Sequence, residues 1–453
     1  MLLKNLNNKK IMVWGLGTEG RSVIEFLEKK GIGEIVVYND KPLAKIPEGF
    51  EKYRFYDGDE LEKLLREVDV VIKSPGVSLY NPLIDEAKKR GVVFTSSTDI
   101  CFDEILTNRP NCKIIAISGS KGKSTSVSAL YHIMQEQGMN VALGGNIGRP
   151  LIELINGNYD YIVAEVSSYQ AADLTISPQI VMFTNLFFVH SSWHRSHENY
   201  CRDKLHLIAH QKEGDICFVN VRNPELMHYI AEYKDKNIVE YDIPEAFHAE
   251  GKELYLGGSK ILDIRDLKIC GDHNLDNLAG VFSIVKALGM DVAKAAEALK
   301  TFEPLAHRLQ NVAVKNNVTF INDSISTAPE AAVGAMKSFD ENIVIISGGE
   351  ENVQNYSEYA EYVESHPKVK MAVTLFQCGP KIAETVRKIV KRPDFELVEE
   401  NSLESAVNKA YRKLKAVGGG IVLFSPTSPS FGFYKNFMER GQHFIDIVSK
   451  LDV

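Results

Sequence analysis

Three features are scarce in the 453-residue chain, and each scarcity argues against a class of protein. The six cysteines are scattered and form no Cys-x-x-Cys pair, which argues against a zinc ribbon or a disulfide scaffold and indicates a reducing cytoplasm. No apolar run approaches the ~18 residues of a spanning helix, and the first apolar run is too short for a signal peptide. Positive charge is the third scarce feature: the chain has 52 basic against 60 acidic residues. The resulting net charge of −8 argues against nucleic-acid or membrane partners.

What is present is ordinary globular material, with 44% hydrophobic and 25% charged residues. At ~150 residues per domain, the length predicts about three domains. Apolar stretches of strand length (residues 10–14, 34–38, 68–73 and 92–95) alternate with stretches of helical periodicity (20–30 and 81–90). The alternation predicts an α/β fold in which a mostly parallel sheet carries helices on both faces.

The pattern restarts twice. A polar, Pro-containing stretch (107–112) precedes the apolar strand at 113–118, and a helical stretch ends at 302–307 before a new strand series begins near Asn311. We therefore expect domains at residues 1–108, 109–306 and 307–453.

A first glycine motif, G-x-G-x-x-G, directly follows a predicted strand and opens a predicted helix. Its glycines permit a tight turn and the close approach of a phosphate to a helix N-terminus. An NAD site and a purely structural turn remain alternatives. Asp40, at the end of the next strand, is a candidate acceptor for a ribose or uracil donor, and Ser74-Pro75-Gly76 ends a third strand, although Pro-Gly is also plain turn chemistry. The motif spans Gly15, Leu16, Gly17, Thr18, Glu19 and Gly20.

The most informative stretch is a G-x-x-G-K-S-T loop between an apolar strand (114–117) and a helix predicted to begin at Thr125. Its amides would cradle phosphates, Lys123 would neutralise them, and Ser124 would bind Mg²⁺. One strand after this helix, Glu165 ends an apolar run, as an acid that binds the metal would. The loop comprises Gly119, Ser120, Lys121, Gly122, Lys123, Ser124 and Thr125.

A histidine-rich segment follows, in which five of the 12 histidines lie between residues 190 and 210. A zinc site is one interpretation, but the spacing provides no single clean ligand set. A polar surface loop followed by a helix is another.

Taken together, motifs along the whole chain resemble those of the Mur ligases of bacterial cell-wall synthesis. The matching stretches are Gly119–Thr125, Gly144–Gly148, Glu165–Gln170, His273–Asn277, His307-Arg308, Asn322–Ser324, and a closing set of Ser425-Pro426, Ser430-Phe431 and Lys435–Gly441.

The resemblance implies a Rossmann-like first domain that binds a UDP-sugar, a central P-loop domain that binds ATP and Mg²⁺, and a Rossmann-like third domain that brings the amino acid. It implies that Lys123, His190 and a carbamylated Lys204 are catalytic, the last two binding metal with Ser124 and Glu165. It also implies that the loop and Asn277, Arg308 and Asp323 bind ATP, the last two when the third domain closes. The other implied contacts are Asn146, Ser167 and Gln170 for the UDP-sugar, with the first-domain residues above, and Thr327, Ser430 and Phe437 for the amino acid.

Some positions depart from the family pattern. Val189 and Ser192 replace two acids beside His190, while Ile325 and Asn352 replace two lysines where the family recognises D-glutamate. At ~1.5–3 kcal/mol per charged hydrogen bond, the two lost cations would cost several kcal/mol if nothing replaced them.

The resulting hypothesis is a monomeric ligase that adds D-glutamate to UDP-N-acetylmuramoyl-L-alanine through an acyl phosphate, for peptidoglycan synthesis. The first alternative is the same ligation with L-glutamate. An NAD-dependent dehydrogenase and a non-catalytic nucleotide-binding scaffold are more remote alternatives.

Overall fold

The computed structural model describes residues 1–43, 46–187, 191–269, 271, 273–304, 306–351 and 355–451, with 191, 192 and 273 as backbone only. The chain divides into two compact units. The first contains Met1–Asp263 and Leu275–Lys300, and the second contains Ile264–Asn274 and Thr301–Val453.

The first sheet of unit 1 is parallel throughout, in the order β3-β2-β1-β4-β5. Its strands are β1 Lys10–Trp14, β2 Glu34–Asn39, β3 Arg54–Asp57, β4 Val70–Lys73 and β5 Val93–Thr95, and its helices are α1 Thr18–Lys29, α2 Leu61–Leu64, α3 Pro82–Lys89 and α4 Ser97–Asn108.

Alternate side chains of β1 enter two different hydrophobic clusters. Ile11 and Val13 pack with residues of α1, whereas Met12 and Trp14 pack with residues of α2 and α3. Because successive side chains of a strand point to opposite faces, this sheet is covered by helices on both sides.

The second sheet of unit 1 is also parallel, in the order β11-β10-β9-β6-β8-β7. Its strands are β6 Lys113–Ser118, β7 Val141–Gly145, β8 Tyr161–Glu165, β9 Ile180–Phe183, β10 Ile216–Asn220 and β11 Ile238–Tyr241, and its helices are α5 Lys123–Glu136, α6 Ser168–Ala171, α7 Ser191–His194, α8 His197–Ala209 and α9 Pro224–Ile230.

A three-stranded antiparallel sheet follows, which the sequence did not predict. It consists of β12 Phe247–Glu250, β13 Glu253–Leu256 and β14 Ser259–Asp263, and helices α10 His273–Ala287 and α11 Val292–Thr301 come after it.

The sheet of unit 2 has the order β15-β16-β20-β17-β18-β19, in which only the β15·β16 pair is antiparallel. Its strands are β15 Gln310–Lys315, β16 Val318–Asn322, β17 Ile343–Ser347, β18 Val369–Thr374, β19 Glu396–Glu399 and β20 Gly420–Phe424, and its helices are α12 Pro329–Met336, α13 Ser357–Ser365, α14 Gly379–Ile389, α15 Leu403–Ala416 and α16 Phe437–Lys450.

Within these elements the predicted α/β class with mostly parallel sheets is confirmed. Two local expectations need correction. Helix α5 begins at Lys123 instead of Thr125, because Gly122 adopts a left-handed conformation and caps the helix. Glu165 lies on the second strand after α5, since β7 intervenes, but β8 pairs directly with β6.

No helix among the described residues combines the length and apolar character needed to cross a bilayer.

Candidate active site

The first glycine motif lies at the carboxyl edge of the first sheet, directly after β1. Gly15 has a φ of +98°, and its carbonyl oxygen accepts a 3.0 Å hydrogen bond from Ser74 Oγ, after β4. A Cβ added to Gly15 would lie only 2.7 Å from Ser74 Oγ. The amide of Leu16 donates to Asn39 Oδ1, at the end of β2, over 3.0 Å. Loops after three neighbouring strands therefore meet at one edge, where open α/β sheets bind ligands.

The predicted UDP-sugar residues of the first sheet share this edge. Asp40 is exposed there and accepts a 3.1 Å hydrogen bond from Trp14 Nε1. The indole therefore orients the carboxylate. The set that this edge brings together is Gly15, Leu16, Gly17, Thr18, Asp40, Ser74, Pro75 and Gly76.

The second glycine loop, residues 119–125, joins β6 to α5 and is called the phosphate-type loop below. Its Lys123 is the first residue of α5. The Lys123 ammonium donates to the carbonyl oxygens of Gly119 and Ser120, over 2.7 and 3.1 Å. Gly122 has a φ of +83°, and a Cβ there would overlap the Asn277 side chain. The structure thus brings the Asn277 side chain against the phosphate-type loop.

Lys204 on α8 also reaches this loop, although its side chain is only 1% exposed. Its ammonium donates to the Gly119 carbonyl over 3.0 Å and lies 3.5 Å from Ser118 Oγ. Burial, and next the charge of Lys123, hold the pKa of Lys204 well below its usual value, against the opposing effects of Cys201 and Glu165. Burial and the neighbouring cation therefore favour the neutral amine relative to an exposed lysine.

Glu165, the last residue of β8, is 1% exposed and stands beside Ile117 of β6 in the sheet register. One carboxylate oxygen accepts a 2.7 Å hydrogen bond from Asn146 Nδ2. The other, Oε2, is buried without a hydrogen-bond partner among the described residues. Such a buried anionic oxygen is costly unless a cation or a ligand donor meets it. With Ser124, which is 2% exposed at the start of α5, this donor chemistry fits Mg²⁺.

Gln170 connects this region to the first glycine motif. Its side-chain oxygen accepts from the Ser167 amide and hydroxyl, while its Nε2 donates over 2.8 Å to Glu19. Ser97 Oγ donates to the other oxygen of Glu19 over 2.5 Å. Burial raises the pKa of Glu19 in spite of these two bonds. The sequence analysis gave roles to Ser167 and Gln170, but it placed Glu19 only inside the glycine motif and assigned it no role.

His194, in the histidine-rich segment, is fully buried. Its Nδ1 lies 2.6 Å from Asp203 Oδ2 and its Nε2 lies 3.0 Å from Ser168 Oγ. Tyr80 donates to the same Asp203 carboxylate, and Trp193 Nε1 donates to the carbonyl oxygens of residues 75 and 76. His194 is therefore a packed residue that joins α8 to α6, while Trp193 beside it joins the segment to the turn after β4.

Several predicted positions lie outside the described residues, namely His190, Val189 and Asn352. The same holds for the side chains of Ser192 and His273.

In unit 2, Asp323 follows β16 and is buried. It accepts hydrogen bonds from the hydroxyls of Ser326 and Ser425 and from the Leu309 amide. Burial raises the pKa of Asp323 to about 6, although these bonds and the nearby Arg308 oppose the shift. Arg308 Nε is buried without a hydrogen-bond partner among the described residues. Arg308 and Asp323, the two predicted nucleotide residues of this unit, are thus close enough for their charges to interact.

The predicted amino-acid residues also lie in unit 2, but their exposure differs. Ser430 is buried, Thr327 is exposed, and the Phe437 ring is half-buried beside His307. Ile325, where the family pattern has a lysine, is half-buried and brings no charge.

Arg440 is a buried cation that the sequence analysis did not single out. It donates to Ser324 Oγ and to the backbone carbonyl oxygens of Ser324 and Ser428, and burial lowers its pKa to about 10. Its position within the closing Lys-x-x-x-x-Arg-Gly pattern was the available signal.

Comparisons with known proteins agree with this arrangement. The family model for the Mur ligase middle domain matches residues 117–285, and the model for the MurD-like N-terminal domain matches residues 9–96. The UDP-N-acetylmuramoyl-L-alanine–L-glutamate ligase of Xanthomonas axonopodis pv. citri is 31% identical over 99% of this chain and 96% of that protein. The UDP-N-acetylmuramoylalanine–D-glutamate ligase of Bacillus cereus is 30% identical over 98% of both chains.

A solved structure shares the fold. MurF ligase from Thermotoga maritima, in complex with ADP, aligns with a TM-score of 0.57 at 14% identity, covering 99% of this chain and 96% of that one. This likeness shows a shared α/β fold, and the full-length relatives confirm the resemblance. The chain belongs to the Mur ligase family of ATP-dependent ligases.

Proposed function

We propose that the protein joins glutamate to UDP-N-acetylmuramoyl-L-alanine at the expense of ATP, and that the isomer is L-glutamate. The observation that carries the chemistry is the grouping of Lys123, Lys204 and Glu165 around one phosphate-type loop, with Glu165 Oε2 unpaired among the described residues. In this reaction the γ-phosphoryl group passes to the alanine carboxylate, and the glutamate amine then displaces phosphate from the acyl phosphate.

The chain's own groups suit phosphoryl transfer. Lys123 would neutralise the transferring phosphoryl group, and the loop amides of residues 119–125 would donate to its oxygens. Ser124, Glu165 and His190 are the residues that would hold Mg²⁺, which when bound neutralises phosphate charge.

Lys204 would complete that ligand set as a carbamate. A neutral lysine amine adds CO₂ to give an N-carboxylate and one proton, so that the side chain becomes an anionic oxygen donor. The lowered pKa of Lys204 supports this step, since only the neutral amine is a nucleophile.

The carboxyl edge of the first sheet would bind the UDP-sugar, with Asp40 and the glycine motif at its centre. Asn146, Ser167 and Gln170 would contact the same substrate from the edge of the second sheet. The Gln170–Glu19 hydrogen bond supports this assignment, because it joins the two edges within unit 1. We accordingly assign residues 1–108 to the UDP-sugar and 109–306 to ATP, with Asn277 against the adenosine.

Residues 307–453 are assigned to the amino acid. Arg308 and Asp323 would contact the nucleotide, and Thr327, Ser430 and Phe437 would contact glutamate. The preference for the L isomer rests on Ile325 and Asn352, which replace the lysines of the D-glutamate pattern. The Xanthomonas relative, named for L-glutamate, retains full-length similarity to this chain.

The test is phosphate release from ATP in the presence of UDP-N-acetylmuramoyl-L-alanine and either isomer of glutamate. We expect release to require both the nucleotide and the amino acid, with kcat/KM at least about tenfold higher for L-glutamate, equal to ~1.4 kcal/mol. Release with ATP alone would contradict the ligase proposal. A preference for D-glutamate would contradict the isomer alone and leave the ligation intact.

A further inference from the structure

A group of three side chains with different donor atoms lies outside the proposed reaction residues. His197 and Cys201 are one turn apart on α8, and Glu225 is in the first turn of α9. His197 Nε2 contacts Glu225 Oε1 and lies 3.7 Å from Cys201 Sγ. The three potential ligand atoms all lie within 4.8 Å of one another.

The group is closed on one side and open on the other. Cys201 is fully buried, whereas the side chains of His197 and Glu225 are 29% and 36% exposed. A cation can therefore approach from solvent and meet the thiol at the bottom, with a position left for water.

We propose that His197, Cys201 and Glu225 form a binding site for one divalent cation of the zinc type, separate from the nucleotide site. A thiolate, an imidazole and a carboxylate are the donors that Zn²⁺ and Co²⁺ combine, whereas Mg²⁺ prefers oxygen donors alone. Three protein ligands with a solvent position are typical of an open tetrahedral site.

Binding exchanges protons for the cation. Without a cation, burial, and next the charge of Glu225, raise the pKa of Cys201 to about 12, so the thiol is protonated. On binding, the S–H bond breaks, its proton passes to solvent, and the sulfur electron pair forms the bond to the metal. His197 would bind the metal through Nε2 in the neutral tautomer that carries its proton on Nδ1, and Glu225 would bind through Oε1.

The proposed metal site would also influence the phosphate-type loop through Tyr200, which precedes Cys201 on α8. Tyr200 stacks on His197, with ring centres 6.3 Å apart, and its hydroxyl lies 2.5 Å from Ser120 Oγ. Fixing His197 to Glu225 through a metal would hold α8 against α9 and steady this contact.

The test uses the full-length protein in excess Mg²⁺, titrated with Co²⁺ and followed by absorption. We expect one Co²⁺ per chain with a near-ultraviolet thiolate-to-metal band, displaced by Zn²⁺, and a Zn²⁺-dependent rise in the thermal unfolding midpoint. Cys201→Ala should abolish the band and weaken binding at least about tenfold.

Two further variants keep the test decisive. Cys217→Ala alters an equally buried thiol on β10 and should keep the band. Glu225→Gln preserves a hydrogen-bonding group on a partly exposed side chain, so it should fold normally and still bind Co²⁺ more weakly. A band that survives Cys201→Ala, unchanged affinity in Glu225→Gln, or no band in the unaltered protein at millimolar Co²⁺ would each overturn the proposal.

Discussion

Gln170 Nε2 donates a 2.8 Å hydrogen bond to Glu19 Oε1, across 151 residues of sequence. Gln170 also closes a capping box with Ser167 at the start of α6, two residues after Glu165. The Gln170 side chain therefore fixes the segment after Glu165, the proposed metal ligand, relative to the first glycine motif. A ligase needs such a connection, because the two reacting groups must meet within about 3–3.5 Å.

Breaking this link should affect stability and substrate binding together. Glu19→Ala leaves Gln170 Nε2 and Ser97 Oγ without their acceptor, which costs ~1–3 kcal/mol for each buried group. We expect a lower urea midpoint by tryptophan fluorescence and a larger change in KM for the UDP substrate than in kcat. Both tryptophans, Trp14 and Trp193, lie in unit 1 and so report on it.

Two companion variants distinguish loss of the Glu19–Gln170 hydrogen bond from a general effect of altering helix α1. Glu25→Ala alters an exposed residue of the same helix α1 and should shift stability by less than ~0.5 kcal/mol. Glu19→Gln keeps the shape and should remain close to the unaltered protein. Equal effects of Glu19→Ala and Glu25→Ala would refute the positioning role.

Elements set by local signals were predictable from the sequence. Strand β1 was predicted at residues 10–14, since an apolar run ends there at a glycine motif. The P-loop was recognised from its strand-loop-helix context. The start of α5 was predicted two residues late, because Gly122 caps the helix through its backbone conformation.

Long-range partners left no such signal. His194 bonds to Ser168 and Asp203, which come from other segments of the chain, and no spacing rule connects them. The antiparallel sheet β12 to β14 was missed because its strands are only four or five residues long, too short for a periodicity to stand out.

ATP affinity should depend on the space beside Gly122 that Asn277 fills, and less on the left-handed backbone conformation of Gly122. Alanine at Gly122 would strain a positive φ and overlap Asn277, so we expect ATP affinity to fall at least about tenfold by calorimetry. Gly138, just beyond α5, has a φ of +75° but open space around its Cα. Gly138→Ala should therefore cost ~1–2 kcal/mol of stability and leave ATP affinity unchanged. Equal losses of affinity in both variants would contradict this account.

Unit 2 should lose stability as pH rises from about 4 to 6. Burial raises the pKa of Asp323 to about 6 from an ordinary 3.8, so the folded state holds more protons than the unfolded state in this window. The free energy of unfolding therefore falls through the window by about 3 kcal/mol at ~1.36 kcal/mol per pH unit. Far-ultraviolet circular dichroism in urea should show this fall.

The matched variants for this pH dependence are Asp323→Asn and Asp446→Asn. The first removes the titrating group and should flatten the curve, whereas the second alters an exposed acid on α16 and should leave it unchanged. A fall of the same size in Asp323→Asn would assign the effect to another group.

Lys204 should require CO₂ for its role. Lys204→Ala should lower kcat at least about 10²-fold, the size of effect expected when one preorganised electrostatic contact to the phosphoryl group is lost. In the unaltered protein, depleting CO₂ and bicarbonate should lower activity reversibly, and ¹³C-bicarbonate should give a carbamate NMR signal that Lys204→Ala lacks.

The control for Lys204 is Lys212→Ala, which removes an exposed ammonium shortly after the same helix α8. Burial and the charge of Lys123 favour the neutral amine of Lys204, whereas Lys212 lies at the surface, away from both influences. Lys212→Ala should therefore retain both the carbamate signal and the CO₂ dependence. Full activity without CO₂, together with no carbamate signal, would mean that the amine itself acts at Gly119, where it already donates a hydrogen bond.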